Sequence, residues 1–175
     1  MKKLVIIGLS LLACVPAAEA AQQTPQPDSW ILRDITGFRN QTWHYQRTMG
    51  VRRTPYAYAP AEDDSRRFRL WVRGVWESRA ATARRRFVAG PAHKSQWQCI
   101  HRYEGSWRDG GAPYWGGLQM DMSFMRTYGA HLLRLKGTAD HWTPLEQMWV
   151  AEKAHRSGRG FSPWPNTARA CGLLA

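Results

Sequence analysis

Apolar positions in the first part of the chain recur at the spacing of an α-helix. Between Ile31 and Arg53 they fall three to four residues apart, which places them on one face of a helix. These positions are Ile35, Phe38, Thr42, Tyr45 and Met49. Pro55 and Pro60 then interrupt the pattern, because proline lacks the backbone donor and restricts the residue before it.

A second amphipathic helix is predicted after these prolines, with Asp63, Asp64 or Ser65 as its N-cap. Its apolar face consists of Phe68, Trp71, Val72, Val75, Trp76, Ala80, Ala83 and Phe87. Arginines occupy much of the remaining surface: Arg66, Arg67, Arg69, Arg73, Arg79 and Arg84 to Arg86. Two such helices joined by a short loop are expected to pack as an antiparallel hairpin over residues 34–89.

Beyond a boundary at Gly90-Pro91-Ala92, the pattern changes to short elements over residues 93–175. A helix is predicted from Lys94 to Tyr103, followed by an extended segment from Tyr114 to Met120 within a small β-hairpin. Thr143-Pro144-Leu145-Glu146 has the form of a capping box with proline at the first helical position. The predicted fold class is therefore α+β and mostly helical, with one short β-hairpin.

The first 20 residues have the features of a secretory signal. Lys2 and Lys3 precede an apolar run that is too short to span a bilayer, and Ala18-Glu19-Ala20 forms a cleavage site. A second interpretation is a lipoprotein anchored through Cys14, since Leu11-Leu12-Ala13-Cys14 resembles a bacterial lipobox. Residues 21–33 are predicted to form a flexible leader, and no transmembrane segment is predicted in the mature chain.

The chain carries a formal net charge of +12, which removal of Lys2, Lys3 and Glu19 lowers by one. Such a balance favours polyanionic partners. Export argues against nucleic acid and for cell-wall material, including anionic wall polymers that the arginine-rich helical hairpin would contact. The alternative is that the charged side chains form only a solvated surface and bind no polyanion.

Two cysteines remain after the signal, Cys99 and Cys171. An even number in an exported chain predicts one disulfide. The six histidines are scattered, with no H-x-x-x-H pair and no C-x-x-C. Neither a metal site nor a cofactor is predicted from these spacings.

A candidate site for glycoside cleavage lies between Trp97 and Gln119. Glu104 ends a predicted helix, has aromatic neighbours at Tyr103 and Trp107, and is followed by a glycine-rich loop. Glycosidases need a carboxylic acid that donates a proton to the leaving oxygen, and a partly apolar pocket favours its protonated form. The alternative is a structural glutamate paired with Arg102 or Arg108.

The motifs around Glu104 resemble the transglycosylase-like domain of actinobacterial resuscitation-promoting factors. The matching positions are Trp97, Ile100, Glu104, Trp107, Tyr114, Trp115, Gly116 to Gln119, Leu145 to Gln147, Val150 to Lys153, and Trp164-Pro165. The resemblance covers about residues 95–173. It implies a small lysozyme-like domain that cleaves the β-1,4 link between N-acetylmuramic acid and N-acetylglucosamine in peptidoglycan, with Glu104 as the catalytic acid.

The chain departs from this family at several positions. The family's cysteine pair falls at Tyr103 and Thr167, whereas Cys99 and Cys171 lie four residues earlier and later. A shift of about one helical turn at both places keeps each partner on its own helix face, as a relocated disulfide requires. Two family positions associated with the sugar cleft hold Phe124 and Arg159, which puts subsite contacts and activity in question.

Trp107, Tyr114, Trp115 and Gln119 are the predicted substrate-binding residues. Asp121 is a possible second carboxylate, which retaining and inverting glycosidases normally need, although it is also suited to cap the following helix. Without a second carboxylate, the muramyl 6-hydroxyl attacks instead and gives an anhydro product. Three hypotheses follow: a secreted wall-cleaving enzyme, an inactive wall-binding module, and an interaction protein that uses its arginine-rich helices.

Overall fold

The computed structural model describes residues 28–61 and 64–175. The predicted signal, Cys14 and residues 21–27 of the predicted leader lie outside this part of the chain. Helix α1 spans Ser29–Met49, so the prediction that the leader extends to residue 33 was wrong. Tertiary packing explains the earlier start, because Ile31 is fully buried against Ile35, Val72 and Trp76.

Helix α2 spans Arg66–Ala89, and the side chain of Ser65 accepts a hydrogen bond from the Phe68 amide as its N-cap. The predicted apolar face is largely confirmed. Val72, Trp76, Ala80, Ala83 and Phe87 are buried, and Trp71 is the exception, with half of its surface exposed.

The two helices pack parallel, so the predicted antiparallel hairpin was wrong. At their N-terminal ends Asp28 binds Arg66 and Arg69, with distances of 3.1 and 2.9 Å. Further along, Asp34 Oδ2 lies 2.8 Å from Arg73 Nε. Near the C-terminal ends the rings of Tyr45 and Phe87 lie 5.0 Å apart. The residue numbers thus increase in the same direction along both helices.

The connector between α1 and α2 makes this parallel arrangement possible. It runs back along the pair: the Trp43 indole donates to the Thr54 carbonyl at 2.8 Å, the Tyr56 ring contacts both Trp43 and Trp76, and Tyr58 packs on Trp71. An extended chain rises about 3.3 Å per residue and a helix about 1.5 Å. Sixteen connector residues therefore reach back along a helix of 21 residues.

The rest of the chain contains five α-helices and one two-stranded sheet within the described residues. Their bounds are α3 Lys94–Glu104, β1 Tyr114–Trp115, β2 Met120–Asp121, α4 Met122–Tyr128, α5 Ala130–Lys136, α6 Pro144–Ala154 and α7 Pro165–Ala170. A 3₁₀ turn at Ala139–His141 precedes α6, and a wide π-helical turn at His155–Arg159 follows it. The protein is α+β and mostly helical, as predicted.

Helix α6 is the central element of this second part. The predicted capping box is present, since the Thr143 and Glu146 side chains each bind the other residue's backbone amide. Most of the helix is buried, including the polar residues Glu146, Gln147 and Glu152. A helix buried all round belongs in a core, and the other helices pack around it.

The segment from Tyr114 to Met120 is not one extended strand, contrary to the prediction. Tyr114 pairs with Asp121 and Trp115 with Met120 in antiparallel register, and the four residues between the strands form a turn. Gly116 and Gln119 have positive φ angles of 73° and 45°. The Gln119 amide donates to the Gly116 carbonyl at 3.0 Å, which closes the turn.

The parallel helix pair is attached to this second part by its C-terminal ends. Met49, Phe87 and Trp149 form one buried cluster, and the Trp149 indole donates to the Phe87 carbonyl at 3.0 Å. The two predicted units therefore share a packed contact. Within the described residues, no helix has the length and apolar character needed to cross a membrane.

Candidate functional site

Glu104 is the last residue of α3, where the helix ends because Gly105 adopts a φ of 143°. Its side chain is partly buried, and its Oε1 accepts a hydrogen bond of 2.7 Å from the Thr167 hydroxyl. Among the residues that the structure describes, it forms no ion pair with Arg102 or Arg108. The carboxylate is therefore held by a neutral donor from α7.

The predicted disulfide joins the two helices that carry this contact. Cys99 on α3 and Cys171, directly after α7, are at bonding distance, with Cα atoms 6.1 Å apart. The disulfide lies more than one turn before Glu104 and one turn after Thr167. A covalent bond beside the Glu104–Thr167 hydrogen bond fixes the separation of α3 and α7.

Glu104 opens onto a cavity of about 200 Å³. Of the predicted substrate-binding residues, Tyr114 and Gln119 line this cavity, and the opposite wall comes from the segment leading into α7. The lining residues are Glu104, Tyr114, Gln119, Pro163, Trp164, Pro165 and Asn166. Tyr114 is half exposed and Trp164 is buried. The Tyr114 side of the cavity is therefore open to solvent, and the Trp164 side is part of the packed core.

Trp107 and Trp115 are not among the residues that line this cavity; both pack against the hydrophobic core. The Trp107 ring stacks on His101 with centroids 3.8 Å apart. His101 Nδ1 lies 3.1 Å from the Gly117 carbonyl oxygen, so His101 packs between the Trp107 ring and the turn. The prediction that both tryptophans bind substrate is not supported by this geometry, because both rings pack against the hydrophobic core.

Asp121 has its alternative role as a helix cap. Its carboxylate accepts a hydrogen bond of 2.7 Å from the Phe124 amide at the start of α4, and it does not line the cavity. A different carboxylate, Asp109, lies closer to the site: a Cβ atom added to Gly105 would be 3.3 Å from Asp109 Oδ2. No pattern in the sequence points to Asp109, because the loop of residues 105–113 has no periodicity.

Gln119 and Gln147 hold the turn between the two strands, whose last residue, Gln119, lines the cavity. Gln119 Nε2 donates to Asp109 at 2.8 Å and to the Gly116 carbonyl at 3.1 Å. Beneath the turn, the fully buried Gln147 accepts from the Gly117 amide at 2.9 Å and donates to three backbone carbonyls. Both amides thereby join the turn to the 105–113 loop.

The two departures from the family pattern have different structural positions. Phe124 is 7 % exposed and packs on Tyr128 and Trp164, so its side chain belongs to the core behind the cavity wall. Arg159 is exposed at the end of the π-helical turn. Neither residue lines the Glu104 cavity.

The arginines of α2 divide into two groups. Arg66 and Arg69 bind Asp28, the residue before α1, and Arg73 binds Asp34 of α1, so these three charges are each paired with a carboxylate. Arg84 to Arg86 are exposed near its C-terminal end. Any polyanion contact on α2 would therefore centre on Arg84 to Arg86.

A second group of polar side chains lies away from Glu104, at the junction of α3 and α6. His93, Glu152 and His155 bring their ligand-type atoms within 4.8 Å of one another.

Comparisons of the chain with protein-family models, with curated proteins and with solved structures gave no match. A functional proposal therefore rests on the geometry of the residues around Glu104.

Proposed function

We propose that this protein is a secreted peptidoglycan-cleaving glycosidase of lysozyme-like fold in which Glu104 is the general acid. The observation that carries the proposal is the grouping of Glu104 with Tyr114, Gln119 and Asn166 around one cavity. A carboxyl group beside an aromatic ring and amide groups offers a proton, a stacking surface and hydrogen bonds to one sugar.

The cavity contacts only part of a glycan strand. At about 200 Å³ it is smaller than the roughly 300–1,000 Å³ typical of small-molecule sites. The remaining sugars would lie on open surface beyond Tyr114. The basic net charge would favour the stem-peptide carboxylates of peptidoglycan.

In the proposed reaction Glu104 protonates the glycosidic oxygen, and its carboxylate then accepts the proton of the muramyl 6-hydroxyl when that group is the nucleophile. The nucleophile is either water or the muramyl 6-hydroxyl. Asp121 is held as a helix cap, so Asp109 is the better candidate to activate water. Mass spectrometry of digested wall distinguishes the two routes. A product with an anhydro end identifies the 6-hydroxyl as the nucleophile. Reducing ends that the wild type forms and Asp109→Asn does not form identify water activated by Asp109.

The test of the catalytic proposal is release of soluble muropeptides from purified cell wall by the wild type and by Glu104→Gln. We expect the substitution to reduce release at least about 100-fold, since general acid–base catalysis contributes roughly 10²–10⁴-fold. Glu77→Gln, on the exposed surface of α2, is the matched control and should keep wild-type activity. Equal activity of Glu104→Gln and wild type would remove Glu104 from the mechanism.

The alternative is a wall-binding module without activity. Phe124 favours it, because the family position associated with the cleft contributes here only to the buried core. This alternative predicts co-sedimentation with wall sacculi and no soluble muropeptides, even at high protein concentration. Wild-type muropeptide release that depends on Glu104 would exclude it.

A further inference from the structure

The junction of α3 and α6 holds three side chains of metal-binding type, separate from the Glu104 cavity. His93 is the residue before α3, Glu152 lies in the last turn of α6, and His155 follows one turn later. His93 Nδ1 lies 3.1 Å from Glu152 Oε1. Spacings along the chain did not predict this group, because His93 is 59 residues from Glu152.

From this arrangement we infer that His93, Glu152 and His155 form a binding site for a divalent transition-metal ion, with Zn²⁺ as the best fit. Zinc takes histidine nitrogen and carboxylate oxygen at about 2.0–2.2 Å in tetrahedral geometry, which places ligand atoms about 3.4 Å apart. The three ligand atoms already lie within 4.8 Å of one another, so a small rotation of the partly exposed His155 ring closes the site.

The environment of Glu152 supports ligation rather than a simple ion pair. Glu152 is 2 % exposed, and the Trp97 indole donates to its Oε2 at 2.9 Å. Metal-binding carboxylates are commonly fixed by such an outer hydrogen bond. The rings of His93 and His155 are in contact, tilted by 39° with centroids 4.1 Å apart, and Phe161 packs on both, which keeps both rings close to Glu152.

The donor set selects the class of ion. Two imidazoles and one carboxylate suit zinc and its first-row neighbours, whereas magnesium and calcium prefer oxygen ligands. A cavity of about 400 Å³, lined in part by Glu152, Arg86 and Arg156, adjoins the group on the Glu152 side.

Isothermal titration of the full chain with Zn²⁺, after removal of adventitious metal by a chelator, tests the site. We expect one ion per chain, and we expect His93→Gln and His155→Gln each to weaken binding by more than the roughly 10–100-fold that loss of an outer-shell partner costs. His141→Gln, an exposed histidine outside the group, is the control and should bind as the wild type does. Absence of saturable one-to-one binding, or undiminished binding by both variants, would overturn the inference.

A spectroscopic measurement on the wild type keeps the test decisive if a variant does not fold. Co²⁺ in a tetrahedral nitrogen and oxygen site absorbs visibly, and Zn²⁺ should displace it with loss of that absorption. A bound but spectrally octahedral Co²⁺ ion, or one that Zn²⁺ does not displace, contradicts the three-ligand site. The result is independent of wall cleavage, because the readout does not involve Glu104.

Discussion

At the residue scale, the second part of this protein depends on a few buried polar side chains whose partners are backbone groups, an opposite charge or a hydroxyl group. Gln147 satisfies four backbone groups around the turn. Glu146 is buried with Lys136 at 2.7 Å, and His131 is buried against the Thr48 hydroxyl at 2.9 Å. Such groups specify the fold strongly, because each leaves an unpaired partner when it is removed.

Gln147→Leu should destabilise the protein by about 3 kcal/mol or more, since each buried backbone group left unpaired costs about 1–3 kcal/mol. The change keeps the side-chain volume nearly constant, so the loss reports the hydrogen bonds rather than a cavity. Urea unfolding followed by tryptophan fluorescence measures it. Gln98→Leu, on the exposed face of α3, is the control, and equal stability of the two variants would contradict the role of Gln147.

His131 should make the protein less stable in acid. Burial lowers its pKa to about 4, with the Lys153 charge acting in the same direction. The unfolded residue binds a proton near its ordinary pKa of about 6.5. Between these values the unfolded state holds more protons, so stability that is fully present above pH about 6.5 is lost as the pH falls toward about 4.

The measurement is the free energy of unfolding between pH about 7 and about 4 for the wild type and His131→Gln. The wild type should show the steeper decline, by on the order of 2 kcal/mol across this window. His141→Gln should follow the wild-type curve because His141 is exposed. Parallel curves for wild type and His131→Gln would show that His131 is not the group responsible.

At the element scale, the parallel pairing of α1 and α2 is the main departure from the sequence prediction. The apolar faces were identified correctly, yet an apolar face pairs equally well in either direction. The direction was decided by the returning connector and by ion pairs that match only in the parallel register, such as Asp34 with Arg73. The length of the connector allowed this direction, because its 16 residues reach back along the pair, which a tight turn cannot do.

Chemical cross-linking distinguishes the two directions. Asp34→Cys with Arg73→Cys should be joined by a short bis-maleimide, because these positions face each other in the parallel pair. Asp34→Cys with Arg86→Cys, which an antiparallel hairpin would bring together, should react several-fold less. Mass spectrometry of tryptic peptides identifies the products. Preferential cross-linking of residues 34 and 86 would contradict the parallel pair.

At the scale of the whole molecule, the Cys99–Cys171 disulfide joins elements that are 72 residues apart in sequence. It closes nearly all of the second part of the chain into one loop, from α3 to α7. In the chain-entropy model, closing a loop of this length stabilises the folded state by about 4 kcal/mol. The same bond holds Glu104 opposite Thr167.

Replacing both cysteines by alanine should therefore lower the free energy of unfolding by about 4 kcal/mol, and it should lower wall cleavage if Glu104 acts as proposed. Reduction of the wild type with dithiothreitol should reproduce the loss, with free thiols counted to confirm reduction. Wild-type stability in the fully reduced protein would show that packing alone fixes α3 against α7.

The sequence by itself determined the local features: the apolar faces of α1 and α2, the capping box at α6, the cysteine pair and the position of Glu104 at a helix end. These follow from periodicity and from short-range hydrogen bonding, which neighbouring residues carry. Tertiary structure alone decided the direction of the helix pair, the inward packing of Trp107 and Trp115, and the meeting of His93 with Glu152 and His155. Those outcomes depend on contacts between residues distant in sequence, whose energies no local pattern records.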